Sequence, residues 1–79
     1  MNLKILGPTS KKSITVEWID VQTTQGSRVI LPGHEPLTAQ LAHNTPVSLG
    51  LPGGAVNSIP ITDGILAVDR HTATIILDD

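Results

Sequence analysis

Apolar and polar residues alternate along this chain only in short runs, many of them bounded by glycine or proline, and none keeps a helical period. "NLKIL", "PVSLGL" and "TATIIL" set alternate side chains on one face, as strands require. Between the runs stand "GPTS", "LPGH", "LPGG" and Asp63-Gly64, each a backbone-bending cluster. Isoleucine, leucine and valine dominate the apolar set and threonine is plentiful, so β-branching also favours strands. Eight or more short strands at a spacing of about 8–12 residues argue for a sandwich or barrel. The predicted fold is all-β: a small β-sandwich of two packed sheets with about ten short strands and no long helix.

With 79 residues, the chain reads as one domain spanning 1–79, with a thin core. It has no cysteine, which excludes disulfides and thiolate metal sites. The net charge is −2 and the basic residues form no stripe, which argues against nucleic acid as a partner. No run approaches the roughly 18 apolar residues of a membrane span, and the N-terminus lacks a signal-peptide core. A soluble, intracellular domain is the expectation.

Several segments carry finer readings. "SITVEWIDVQT" is the longest strand candidate, with Ile14, Val16 and Trp18 on one parity and Ile19 and Val21 on the other. That phase change predicts a β-bulge near Trp18 or a strand covered on both faces. "HEPLTAQL" is compatible with a strand or a single helical turn. Trp18, the only aromatic residue, reads as core filler ahead of an interface anchor. Lys11-Lys12 reads as a solvated loop, "LPGG" as a hairpin, and Pro60 as an edge-strand or bulge residue.

The stretch "VILPGHEPL" presents His34 at a stiff corner. Pro32 has its φ preset for the second position of a type II turn, Gly33 tolerates the positive φ of the third, and Pro36 keeps Glu35 extended. A catalytic His34 would need a nucleophile and an orienting carboxylate. Asp20, Asp63 and Asp69 supply carboxylates, but no serine sits on a nucleophile elbow. Metal binding would need His34, His43 and His71 to converge, and their spacing gives no sign of it. The residues therefore predict no catalytic, cofactor or metal site, and leave His34 a structural or interface role.

"VEWIDVQTTQGSRVILPGHEPL", "SIPITDGILAVD" and "TATIILDD" together resemble the N-terminal β-sandwich domain of the epsilon subunit of F-type ATP synthases. The likeness runs in order from about Val16 to Asp79, and "ILPGHEPL" is its most specific piece. It implies two packed five-stranded sheets in a non-catalytic part of the central stalk. The partners it implies are the gamma subunit and the membrane-embedded c-ring, whose proton- or sodium-driven rotation the sandwich helps transmit. His34, Pro36 and Ala39 match the region facing gamma, and Gln25, Gly26, Ser27 and Arg28 match the turn facing the ring. The implied location is peripheral, on the cytoplasmic face of a bacterial or organellar inner membrane, with no cofactor and no insertion of its own.

Two departures from the family pattern stand out. The ring-facing turn usually reads Glu-Gly-Asp/Glu-x-Gly, whereas here Arg28 appears and both acids are gone, which implies a differently charged ring. The family's C-terminal helical hairpin has no counterpart in the sequence, so its inhibitory and ATP-binding roles are not expected. Asp63 also replaces the first glycine of the usual Gly-Gly turn. Two rival readings are a free-standing β-sandwich binding a peptide or small ligand on an exposed sheet edge and a small enzyme using His34.

Overall fold

The computed structural model describes residues 1–78. Nine strands form in chain order: β1 (Asn2–Leu6), β2 (Lys11–Thr15), β3 (Trp18–Thr23), β4 (Gly26–Ile30), β5 (Leu37–Gln40), β6 (Thr45–Gly50), β7 (Val56–Ile61), β8 (Gly64–Val68) and β9 (Thr72–Leu77). They build a five-stranded sheet in the order β2-β1-β9-β8-β5 and a four-stranded sheet in the order β4-β3-β6-β7. The expected all-β sandwich is what the chain forms, with nine strands among the described residues and sheets of five and four. "HEPLTAQL" resolves as the strand β5, and no helix is present among the described residues.

The two inner faces share one core. Leu3, Ile5, Leu66, Val68, Ala73 and Ile75 enter it from the five-stranded sheet, and Ile19, Val21, Ile30, Val47, Leu49 and Ile61 from the four-stranded sheet. Fully burying one such aliphatic side chain contributes about 1.5–3 kcal/mol, so this layer carries most of the stability. The chain's two ends are tied within it. β1 pairs parallel with β9, with Leu3 beside Ala73 and Ile5 beside Ile75, and antiparallel with β2 on its other edge.

Three expectations need correction here. "SITVEWIDVQT" is not one strand with a bulge; it breaks at Val16–Glu17, and β2 and β3 lie in different sheets. The parity switches because the chain turns a corner between sheets, with Val16 buried at the bend and its N–H donated to the Met1 carbonyl at 2.9 Å. Trp18 is not core filler. It is only partly buried and stands on the outer face of β3, since its neighbour Ile19 takes the inward position. Lys11 and Lys12 belong to β2, an outer strand of its sheet, where exposed lysines discourage pairing with another chain.

The turns follow the local chemistry. Gly33 holds φ +80° and the His34 N–H donates to the Leu31 carbonyl at 3.1 Å, the closure expected of a type II turn. Gly53 and Gly54 take positive φ in the β6–β7 hairpin, as "LPGG" predicts. Gly64 is present for a different reason: its φ is ordinary, but a Cβ there would come within 2.9 Å of the Ile76 carbonyl. Pro60 lies in β7, an edge strand as expected. Pro46 lies beyond the Ser48–Gly50 segment of β6 that pairs with β3, where no ladder partner on that side needs its missing N–H.

Candidate functional site

Both segments matched to partner-facing regions flank β4, at opposite ends. At one end the β3–β4 hairpin turns through Thr24 and Gln25. The Thr23 hydroxyl donates to the Gly26 carbonyl at 2.7 Å and accepts the Gln25 N–H at 3.1 Å. Gly26 completes the turn at φ +115°, a conformation other residues adopt only with strain. The buried Thr23 thus holds the turn from beneath while Gln25, Gly26, Ser27 and Arg28 stay exposed.

At the other end, Leu31–His34 turns the chain towards the five-stranded sheet. His34 is half-buried, and its Nδ1–H donates to the Glu35 carbonyl at 2.7 Å, which fixes the ring against its own backbone. Pro36 is exposed just beyond it. Among the described residues the His34 ring bonds neither a serine hydroxyl nor a carboxylate. The three histidines do not converge, and no group of three or more metal-ligating side chains forms among the described residues. His43 instead meets Asp63 at 2.9 Å, an exposed pair that joins the β5–β6 connection to the β7–β8 turn.

The structure groups the singled-out residues differently from the sequence matching. Ala39, assigned with His34 and Pro36, lies on β5 and lines a cleft of about 250 Å³ together with Gln25 and Arg28. Backbone bonds close this corner: Thr24 N–H to the Gln40 carbonyl at 3.0 Å, and Ala42 N–H to the Gln22 carbonyl at 2.9 Å. A bridge between Thr23 and Leu41 completes it. The hairpin tip is therefore braced by both sheets and does not swing free. His34 and Pro36 form a separate surface at the far end of β4.

A further surface was missed by sequence reasoning because Trp18 had been assigned inward. A Cβ on Gly50 would overlap the Trp18 indole, so the ring lies directly over that buried glycine. The signal was available in the sequence: with Ile19 and Val21 inward, Trp18 has to face out.

These features define a class: a braced two-sheet β-sandwich with exposed turns and, among the described residues, no converging group of metal-ligating side chains. Within that class, a family model described as the beta-sandwich domain of the ATP synthase delta/epsilon chain matches residues 1–79. The chain belongs to that family. The ATP synthase epsilon chain of Corynebacterium glutamicum is 37% identical over 60 residues, covering 76% of this chain and 48% of that one. The epsilon chain of Corynebacterium jeikeium is 36% identical over 64 residues, covering 81% and 52%. This chain thus spans about half the length of the curated relatives it matches.

Among solved structures, a chain of the Euglena gracilis mitochondrial ATP synthase (OSCP/F1/c-ring) superposes with TM-score 0.88 at 24% identity, covering 98% of this chain and 49% of that one. One from the central stalk/c-ring of the Tetrahymena thermophila enzyme gives 0.78 at 16% identity, covering 100% and 63%. At those identities the likeness is one of fold.

Proposed function

We propose that this chain is the sandwich of a non-catalytic central-stalk subunit in a rotary ATP synthase, seated between the gamma subunit and the c-ring. The observation that carries this reading is the family match along the whole sequence. The braced hairpin and the rigid type II turn support it, since a part that transmits torque must present stiff surfaces. Gln25, Gly26, Ser27 and Arg28 face the ring in this reading. His34 and Pro36 face gamma, and Ala39 contributes from the cleft side. The protein is held peripherally at the membrane through the complex, on the cytoplasmic face or its organellar equivalent, and no helix among the described residues is long and apolar enough to cross a membrane.

The exposed Arg28 sets the charge of the ring-facing turn, where neither Gln25 nor Ser27 is acidic. The complementary ring loop is therefore neutral or acidic, because charge arrangement chiefly selects partners and sets encounter rate. Co-expression with gamma and c-ring subunits from the same operon tests the assignment. Co-purification with both is expected; a protein that ignores both while turning over a metabolite would overturn it.

A further inference from the structure

Each sheet ends in two outer strands, and an outer strand shows a row of unpaired main-chain N–H and C=O groups along one flank. On β7 that flank is blunted. The Leu51 N–H donates to the Ala55 carbonyl at 2.8 Å, and alternation from that pair turns the main chain of Val56, Ser58 and Pro60 outward. Pro60 has no N–H to offer, and the Ser58 N–H is already donated to the Asn57 side chain at 3.0 Å. On β2 the exposed Lys11 and Lys12 discourage pairing, and on β5 the Gln40 carbonyl already accepts the Thr24 N–H.

β4 has none of these protections. The Thr24 N–H bonds the Gln40 carbonyl and the Ala42 N–H bonds the Gln22 carbonyl, so Gln22 and Thr24 turn their main chain away from β4 and Thr23 turns towards it. Alternation then makes Thr23–Gly26, Val21–Arg28 and Ile19–Ile30 the hydrogen-bonded pairs, and the N–H and C=O of Ser27 and Val29 point out of the sheet. Among the described residues nothing bonds those outward groups, and β4 pairs with β3 alone. Both residues are exposed, Val29 at 55%. The one charged side chain of β4, Arg28, sits opposite the buried Val21 on the inward parity and lines the cleft at the hairpin end.

Donor and acceptor sets repeating every second residue, about 7 Å apart, are matched by an extended main chain. A second copy of this chain is the poorer occupant. The two-fold register that uses Ser27 and Val29 of both copies sets Arg28 directly opposite Arg28, and opposed like charges are destabilising. β4 also runs directly into the Leu31–His34 corner, so an added strand continues the surface that faces gamma. We propose that the gamma subunit adds an extended strand to the free flank of β4, bonding the outward main-chain groups of Ser27 and Val29. This rests on the stalk reading and deepens it, by giving the gamma contact a main-chain component beside the His34 corner.

Amide hydrogen exchange read residue by residue, on the free protein and on its complex with gamma, tests the added strand. In the free protein Ser27 and Val29 should exchange fast and Arg28, bonded to Val21, slowly. Gamma should slow Ser27 and Val29 at least about thirtyfold and leave Val56 on β7 unchanged. Val29→Pro removes an outward donor, as Pro60 does on β7, and leaves the β3 ladder intact; it should weaken gamma binding about tenfold. Val29→Thr keeps the donor and the β-branched shape, and should bind at least about fivefold more tightly than Val29→Pro. Val56→Pro, the same change on β7, should leave gamma binding unaltered. Gamma binding with Ser27 and Val29 still exchanging fast would overturn the added strand while leaving the stalk assignment standing; no gamma binding at all would overturn both. Equal loss in Val29→Pro and Val29→Thr would make the contact one of side chains, and slowing of the same amides at high protein concentration without gamma would make the occupant a second copy. Either result overturns the proposal.

Discussion

Trp18 and Gly50 form a pair in which each residue requires the other. Any side chain at position 50 meets the indole at Nε1, Cε2 and Cδ1, and the glycine is already buried beneath it. Gly50→Ala must therefore expel the ring, at a cost of about 1–3 kcal/mol, the usual range for overpacking. The expected readings are a lower urea midpoint and a red shift of Trp18 emission; unchanged emission would show that the ring does not rest there. Asp69 makes a different kind of residue-scale contribution. Its Oδ1 accepts the N–H groups of His71 and Thr72 at 2.8 and 2.7 Å and so organises the β8–β9 turn. Those two bonds hold its carboxyl below the ordinary value of 3.8, with the nearby positive charges of His71 and Lys4 adding to the effect. A depressed folded-state pKa means the contribution is present above the unfolded value and is lost as pH falls through the folded one. Asp69→Asn should therefore lower the thermal midpoint at pH 7, and that deficit should shrink below pH 3.8.

At the scale of the element, β9 separates two neighbouring isoleucines. Ile75 is fully buried and Ile76 is 48% exposed on the opposite face. Ile75→Ala should cost about 2–5 kcal/mol by leaving a cavity in the shared core, whereas Ile76→Ala should cost about 1 kcal/mol or less. Chemical denaturation of the two variants checks this, and similar losses would contradict the assigned register. The same alternation made most strands legible in the sequence, because a half-buried strand writes its inward face as every second residue. It failed at "SITVEWIDVQT", where one apolar run serves two sheets and the corner at Val16 has no turn residue to announce it. The failure carried over to Trp18, whose direction follows from which side of that corner it is counted on. The type II turn at Gly33 and the Gly53-Gly54 hairpin were legible because positive φ leaves few residues to choose from. The cleft uniting Ala39 with Gln25 and Arg28 was not, since bonds between β5 and the end of β3 join residues distant in sequence.

For the whole molecule, the separation of the two singled-out surfaces along β4 has a mechanical consequence. A sandwich gripping a shaft on one side and a rotor on the other needs its contacts apart and its body stiff between them. The core shared by both sheets and the parallel pairing of β1 with β9 supply that stiffness. Ala39 borders the hairpin cleft, but the hairpin tip and the His34–Pro36 turn lie at opposite ends of β4 and should be energetically independent, because sites without shared partners contribute additively. Arg28→Glu reverses the charge of the hairpin tip without touching the core, since Arg28 is exposed. On the stalk reading it should slow association with a ring carrying a neutral or acidic loop. The effect should be largest at low salt and fade as ionic strength rises, while gamma binding stays unchanged. His34→Ala should do the opposite, weakening gamma association with little salt dependence, because it removes a half-buried ring fixed against its own backbone. Surface-immobilised gamma and detergent-solubilised ring, each titrated with both variants at two salt concentrations, give four comparisons. Loss of gamma binding in Arg28→Glu, or of ring binding in His34→Ala, would mean that the two ends of β4 do not serve separate partners.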